Sequence, residues 1–291
     1  MTAMPTPYAH AASVATVGMA LRWAVTALRK TSPSGQLDVE TLVMHITGFS
    51  RAELVTRDAH VLSVTQVADL LRLVERRATG EPIAYLTHKR EFWSLELMVS
   101  PSTLIPRPET ELLVEQALAS IPTNVAWTIA DLGTGCGAVA LALAKERPRC
   151  HVVAIDNAPA TLDIARKNAW RHKLTNVEFL QGSWLEPIDA RVNIIVSNPP
   201  YIKDDDPHLT WGDVRFEPDY ALLGGVDGLD AIRHIVAHAK HYLYPDGILL
   251  LEHGYDQGIA VHSLMQRHGY VNVARHQDIA HCDRVSICQI R

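Results

Sequence analysis

Residues Ile129-Ala130-Asp131-Leu132-Gly133-Thr134-Gly135-Cys136-Gly137-Ala138 decide how this 291-residue chain is read. A short apolar run carrying one acid passes into three closely spaced glycines and then into an alanine-rich helical stretch. That pattern is a buried strand, a tight turn and a helix. Glycine permits backbone angles and close ligand approach that a Cβ forbids. The next apolar run ends at Ile155-Asp156, a little over ~20 residues past the first glycine, where an acid can accept hydrogen bonds from ribose hydroxyls. The spacing predicts a loop for an adenosine-containing cofactor.

The loop alone leaves the cofactor open. Gly133, Gly135 and Ala138 also satisfy the dinucleotide fingerprint, and a strand–helix turn that binds nothing can carry the same glycines. Asp131 tips the choice. A carboxylate at the strand end suits the amino and sulfonium groups of S-adenosylmethionine, and it repels a pyrophosphate.

Working outward, apolar runs at 127–132, 152–156, 177–180, 192–197 and 248–252 alternate with helical stretches at 137–147, 158–172 and 228–243. Strand and helix alternating at this interval predict an α/β fold with a doubly wound, parallel sheet. Helix 256–268 is followed by two strands, 271–277 and 284–290, whose connection is too short for a parallel crossover. The last pair is therefore expected to be antiparallel, giving seven strands in a mostly parallel sheet.

Upstream, the pattern is helical to about Gly80. Val14, Val17, Leu21, Val25 and Leu28 recur at helical spacing, and the helix stops near Ser32-Pro33-Ser34-Gly35. A second helix runs from about Asp38 to Ile46 and ends at Gly48, and a short one follows Ser50. A fourth starts at Ser63, with Gln66 completing a capping box, and carries Val67, Leu70, Leu71 and Val74 on one face. This predicts a small helical bundle. Phe92, Trp93, Leu95, Leu97 and Val99 suggest a β-hairpin, closed by a turn at Pro101-Ser102. Pro108, Glu109 and Glu111 then suit the first turn of a helix. The expected division is a flexible tail at 1–12, a helical domain at 13–82, a hairpin linker at 83–107 and the catalytic domain at 108–291.

The second informative stretch is Ile194-Ile195-Val196-Ser197-Asn198-Pro199-Pro200-Tyr201. It places Asn198 at the carboxyl end of a parallel strand, on the edge where ligands bind. Consecutive prolines stiffen the backbone and have no N–H to offer. The Asn198 side-chain oxygen and the Pro199 carbonyl can then accept from one planar NH2 group, with Tyr201 stacked on its face. Gripping both hydrogens leaves the third direction of the nitrogen free to attack an electrophilic methyl. Positive charge developing on nitrogen strengthens both hydrogen bonds, so the transition state is held more tightly than the ground state. The competing reading is a proline-rich surface turn.

Composition narrows the class. Lys+Arg is 27 against Asp+Glu 32, a formal net charge of −5, which disfavours a protein held to DNA by phosphate neutralisation. No apolar run approaches the ~20 residues needed to span a bilayer, and Met1 to Ala12 lacks a signal-peptide pattern. Cys136, Cys150, Cys282 and Cys288 form no CxxC pair, which suits a reduced, cytoplasmic protein. His234, His238 and His241 share a helical face, but no HExxH glutamate or cysteine pair accompanies them, so a solvated or packed face is preferred to a metal.

These residues resemble the class I S-adenosylmethionine-dependent methyltransferases that carry an (Asn/Asp)-Pro-Pro-(Tyr/Phe) motif. More narrowly, the chain resembles the bacterial release factor glutamine methyltransferase family from about Met19 to its C-terminus. The resemblance is carried by Gly80-Glu81-Pro82-Ile83-Ala84-Tyr85-Leu86, Glu91-Phe92, Leu104-Ile105-Pro106-Arg107-Pro108-Glu109-Thr110-Glu111 and the glycine loop. It continues through Ser197 to Ile202, Gly224-Gly225-Val226-Asp227-Gly228-Leu229-Asp230 and Leu251-Glu252-His253-Gly254-Tyr255. It implies methylation of the side-chain nitrogen of glutamine in the Gly-Gly-Gln motif of class 1 peptide chain release factors, with S-adenosylhomocysteine as product. It implies cofactor contacts from Gly133, Thr134, Gly135, Cys136, Gly137, Asp156, Trp184 and Asn198, beside Asp131, with the glutamine held by Asn198, Pro199, Pro200 and Tyr201. No metal, nucleic acid or membrane partner is expected. The helical domain would help engage the release factor.

Two departures stand out. Cys136 replaces the usual Ser or Thr of the loop, and Thr87-His88 replaces a residue-plus-glycine pair. Competing activities are methylation of a glutamine of ribosomal protein L3 and of the exocyclic amine of adenine. A nicotinamide oxidoreductase would explain the glycines and leave Asn-Pro-Pro-Tyr without a role.

Overall fold

The structure, a computed structural model, describes residues 15–291. The tail expected at 1–12, and Val14 of the first helical stripe, lie outside the described residues. The described chain divides into two units. One runs to His88 and includes Trp211–Phe216; the other comprises Lys89–Thr210 and Glu217–Arg291.

The smaller unit holds helices α1 (Val17–Leu28), α2 (Gly35–Thr47), α3 (Arg51–Thr56), α4 (Val64–Ala78) and α5 (Ile83–Thr87). The box expected at Ser63 is present: its hydroxyl accepts from the Gln66 N–H at 3.1 Å, and the Gln66 side chain accepts from the Ser63 N–H at 2.8 Å. Ser50 and Glu53 build a second one. The buried line of α1 is Val17, Ala20, Ala24 and Leu28, with Leu21 and Val25 half-buried. This is rotated from the expected stripe, because the small alanine face permits the closest packing of α1 on α2 and α4. Across the unit, the buried Arg77 Nε donates to Asp38 Oδ2 at 2.7 Å, and Nη1 donates to the Glu81 carbonyl at 3.1 Å.

The boundary expected at 82–83 falls instead between His88 and Lys89. Pro82 sets the entry to α5, whose Leu86 joins the helical core. A five-residue apolar run is too short for periodicity to separate helix from strand. His88, at the departure noted above, closes α5 at φ +58, in the region glycine adopts without strain. His88→Gly is expected to leave stability within about 1 kcal/mol of the parent, or to raise it, since relief of left-handed strain opposes the chain entropy glycine adds. Urea denaturation tests this; a loss well beyond 1 kcal/mol would show that the imidazole itself holds the turn.

The larger unit opens with a hairpin, β1 (Lys89–Phe92) and β2 (Leu95–Met98), around a two-residue turn. Trp93 and Ser94 occupy that turn at φ +51 and +53, the hand that matches strand twist. Trp93 therefore leaves the alternating face; its indole N–H donates to Glu146 Oε1 at 3.0 Å. Phe92 is buried in the hairpin and Tyr85 within α5.

The seven-stranded sheet contains β3 (Thr128–Leu132), β4 (His151–Asp156), β5 (Val177–Gln181), β6 (Val192–Ser197), β7 (Leu243–Glu252), β8 (Val271–Gln277) and β9 (Asp283–Gln289). Their order is β5-β4-β3-β6-β7-β9-β8. The first five pair in parallel, and β9 lies antiparallel between β7 and β8, as the short final connection requires. Strand β7 begins earlier than its apolar run, because Tyr244-Pro245-Asp246 hides the start, and the pairing with β6 shifts register there. Helices α6 (Glu111–Ser120), α7 (Ala138–Glu146), α8 (Pro159–Arg171), α9 (Asp230–His238) and α10 (Gly258–Arg267) complete the unit. The strand order reverses at β3, so the carboxyl ends of β3, β4 and β6 frame the crevice where such sheets bind ligands. Among the described residues, no helix is long and apolar enough to cross a membrane.

Candidate active site

At that crevice lies a cleft lined by Gly133, Gly135, Asp156, Gly182, Ser183, Trp184, Asn198, Pro200 and Tyr220 among others. Gly133, Gly135 and Gly137 stand at φ +70, +59 and +91. A Cβ placed on Gly135 would meet nothing within 4 Å, so this backbone opens onto free space. One on Gly137 would meet Leu141 at 3.1 Å and Ala165 at 3.3 Å, which is how the loop beds down on α7 and α8.

Asp156 ends β4 inside the cleft. Its Oδ2 accepts from the Gly135 N–H and its Oδ1 from the Ala158 N–H, both at 3.0 Å. Burial raises its carboxyl above the ordinary carboxylate range, and these bonds pull it back. Trp184, at φ +50, lines the cleft and also packs on the sheet core.

Asp131 sits behind the loop rather than in the cleft. It is buried, its Oδ2 accepts from the Thr134 hydroxyl at 2.7 Å and the Ala140 N–H at 3.1 Å, and burial pushes its carboxyl up to about 7. Thr134, Cys136 and Gly137 likewise shape the loop without lining the cleft. The Cys136 thiol is buried and pushed up to about 12, and the Cys136 carbonyl accepts from Asn168 Nδ2 at 2.8 Å. Asn168, which the sequence reading passed over, is fully buried and also bonds both backbone groups of Met98. Its signal was a polar residue on the buried face of α8, beside Ala165 and Ala169.

The residues present fit an adenosine-bearing ligand: an open glycine backbone, a carboxylate at the next strand end and an aromatic wall. Asp156→Ala is expected to weaken cofactor binding by ~1–3 kcal/mol, the range for lost hydrogen bonds to a charged group. Calorimetric titration measures it, and unchanged affinity would remove Asp156 from the site.

The Asn-Pro-Pro-Tyr corner leaves β6, whose last residue, Ser197, donates to the Leu132 carbonyl at 2.7 Å. Asn198 Nδ2 donates to Thr110 Oγ1 at 3.1 Å. That bond spends the amide's donor end and leaves Oδ1 as the acceptor end. Pro200 lines the cleft, and Pro199 is buried beside it. Tyr201 packs on the sheet core, and its hydroxyl donates to Glu252 Oε1 at 3.3 Å. Burial raises its phenol pKa, which keeps the hydroxyl neutral and a donor.

The corner is braced from behind. Gln257 Nε2 donates to the Tyr201 carbonyl at 3.0 Å. The Ile202 N–H donates to the Leu222 carbonyl at 2.9 Å, and the Gly224 N–H to the Ile202 carbonyl at 2.8 Å. Glu217 accepts from the Ile105 N–H at 3.1 Å and pairs with Arg107, which fixes the segment leading to Thr110. Thr110, Gln257 and Glu217 were not singled out as site residues. Gln257 is two residues beyond the Leu251–Tyr255 motif, and Thr110 lies inside the Leu104–Glu111 motif without an assigned role. Of the three histidines, His234 and His238 lie ring against ring at 4.5 Å, tilted by 35°, and His238 Nδ1 bonds the His234 carbonyl at 2.7 Å. Among the described residues, no group of three His, Cys, Asp or Glu could hold a metal ion.

Two family models match the chain: a PrmC N-terminal domain over residues 19–87 and a methyltransferase small domain over residues 108–213. The chain is 47% identical over 279 residues to the release factor glutamine methyltransferase of Vibrio cholerae, covering 95% of this chain and 97% of that one. To the release factor glutamine methyltransferase of Xylella fastidiosa it is 50% identical over 253 residues, or 87% and 92% of the two chains. To that of Escherichia coli it is 46% identical over 268 residues, or 92% and 96%. Among solved structures, a methyltransferase from Pyrococcus furiosus matches with a TM-score of 0.53 at 18% identity, over 74% of this chain and 96% of that one. This last likeness is one of fold.

Proposed function

Since the chain belongs to the release factor glutamine methyltransferase family, we propose that it methylates the side-chain nitrogen of the Gly-Gly-Gln glutamine in class 1 peptide chain release factors. S-adenosylmethionine supplies an electrophilic methyl carbon on a sulfonium and leaves as S-adenosylhomocysteine. The observation that carries the reading is Asn198. Its carboxamide lines the same cleft as the glycine loop and Asp156, with its NH2 end committed to Thr110.

An amide nitrogen is a weak nucleophile because its lone pair is delocalised into the carbonyl. Asn198 Oδ1 and the Pro199 carbonyl accept its two hydrogens and favour a pyramidal nitrogen with its electron pair aimed at the methyl. Both bonds strengthen as positive charge develops, the kind of interaction that raises turnover rather than mere affinity. No strong base is required, because the nitrogen becomes acidic on methylation and sheds its proton to water. Pro199 and Pro200 keep the corner from relaxing. Asp156 and the backbone at Gly133 and Gly135 hold the nucleoside, and Asp131 holds the loop in shape. The chemistry asks for no metal.

The helical unit engages the release factor in this reading, and the four free cysteines suit a reducing, cytoplasmic setting. Methylation of adenine needs a basic groove, at odds with the net charge of −5. The test is transfer of labelled methyl from S-adenosylmethionine to a purified release factor, beside ribosomal protein L3, duplex DNA and a release factor whose Gly-Gly-Gln glutamine is replaced by alanine. Label is expected on the intact release factor alone. Equal label on the alanine form, label confined to L3 or DNA, or retention of NADH without S-adenosylmethionine binding would overturn the reading.

A further inference from the structure

We propose that Thr110 and Glu252 are positioning residues that hold the Asn198 carboxamide in the single orientation able to accept from a substrate amide. The inference rests on the function proposed above.

An asparagine side chain has two ends of nearly equal shape and opposite polarity. A substrate carboxamide nitrogen presents hydrogens, so only the oxygen end of Asn198 can grip it. With the side chain turned over, N–H faces N–H. The fold must therefore choose between two orientations that sterics alone barely distinguish.

The chain of contacts behind Asn198 makes that choice. Asn198 Nδ2 donates to Thr110 Oγ1 at 3.1 Å, and Thr110 is buried. A threonine hydroxyl can donate or accept, so it does not by itself set the polarity. What sets it is the destination of its proton. Glu252, at the end of β7, is 1% exposed. Its Oε1 accepts from the Tyr201 hydroxyl at 3.3 Å. Its Oε2 is buried and has no hydrogen-bond partner in the structure, and the Thr110 hydroxyl is among the groups that favour the ionised carboxyl. An ionised carboxylate can only accept. It draws the Thr110 proton toward itself, the Thr110 lone pairs then face Asn198, and Asn198 must offer Nδ2 to them. Oδ1 is left for the substrate.

One carboxylate thus governs both ends of Asn-Pro-Pro-Tyr, through Thr110 at Asn198 and directly at Tyr201. The network costs something. Burial pushes the Glu252 carboxyl up to about 7, while Thr110, Tyr201 and Arg284 oppose the rise and Glu109 adds to it. Protonated Glu252 could donate to Thr110 and reverse the polarity of the whole chain. A buried carboxylate with a spare acceptor is poor structural economy, and it is explained if its polarity is what the site uses.

The test compares the full-length parent with Thr110→Val, Thr110→Ser and Glu252→Gln, measuring kcat, the KM for the release factor and the S-adenosylmethionine Kd. Thr110→Val keeps the shape and removes the acceptor. Its kcat is expected to fall about ten-fold or more, with cofactor Kd within about two-fold of the parent, and Thr110→Ser should restore most of the loss. In the parent, kcat should drop as pH falls below about 7, and Glu252→Gln should lower kcat and flatten that limb. Parental kcat in Thr110→Val, or a cofactor affinity that falls in step with kcat, would overturn the proposal and leave the function standing. An unaltered pH limb in Glu252→Gln would overturn it too, even if Thr110→Val did not fold. Failure of the parent itself to methylate the release factor would instead overturn the function.

Discussion

Asn198→Ala is expected to lower turnover by ~10²-fold or more while leaving S-adenosylmethionine affinity largely intact. The side chain lines the cleft, but the contacts proposed for the nucleoside come from Asp156 and the glycine backbone, which the substitution does not touch. What disappears is one of two acceptors on an amide whose hydrogens become more acidic as the methyl arrives. An acceptor that matters most in the transition state changes kcat more than KM. Single-turnover transfer to a release factor, paired with calorimetric titration of the cofactor, separates the two. Turnover near the parent would show that the corner does not grip the reacting nitrogen.

Gly228→Ala carries the second large effect. A Cβ there would stand 2.3 Å from the Tyr201 carbonyl oxygen and 2.5 Å from Gln257 Nε2, at φ +75. Neither neighbour can step aside freely: the first is backbone, and the second holds that same carbonyl at 3.0 Å. Left-handed strain of roughly 1 kcal/mol and overpacking of about 1–3 kcal/mol give an expected loss of about 2–4 kcal/mol in urea denaturation. The corner must shift to admit the methyl, and a displacement of about 1 Å at a reacting group can cost ~10²-fold in rate. Turnover should therefore fall even in the fraction that stays folded. A variant of parental stability and turnover would mean that Gly228 does not brace the corner.

These two residues also show what a sequence can and cannot reveal. The sheet was legible because parallel strands buried on both faces are written as continuous apolar runs, and Ile129, Val152, Ile194 and Leu250 each mark one. The antiparallel end followed from connection length alone. Where side-chain size or polarity misled, the reading slipped: α1 buries its alanines, β7 starts beneath Tyr244-Pro245-Asp246, and 83–87 coils into a helix.

The site divides along the same line. Gly133–Gly137 and Asn198–Tyr201 are contiguous, and their chemistry is local, so they could be found by eye. The residues that orient them are distant in the chain. Thr110 meets Asn198 across 88 residues, and Gln257 reaches Tyr201 across 56. No spacing rule links such pairs; only the convergence of strand ends does. Asp131 shows the converse. Its position predicted a carboxylate turned to the ligand, and the fold turns it to Thr134 and Ala140.

The central claim is that the asparagine–proline corner presents a glutamine nitrogen to the sulfonium methyl. Fragmentation mass spectrometry of a release factor incubated with the enzyme and S-adenosylmethionine tests it most directly. The account predicts one added methyl, confined to the side-chain nitrogen of the Gly-Gly-Gln glutamine and lost with Asn198→Ala. A methyl on any other residue, or an unchanged glutamine in the presence of active cofactor turnover, would contradict it.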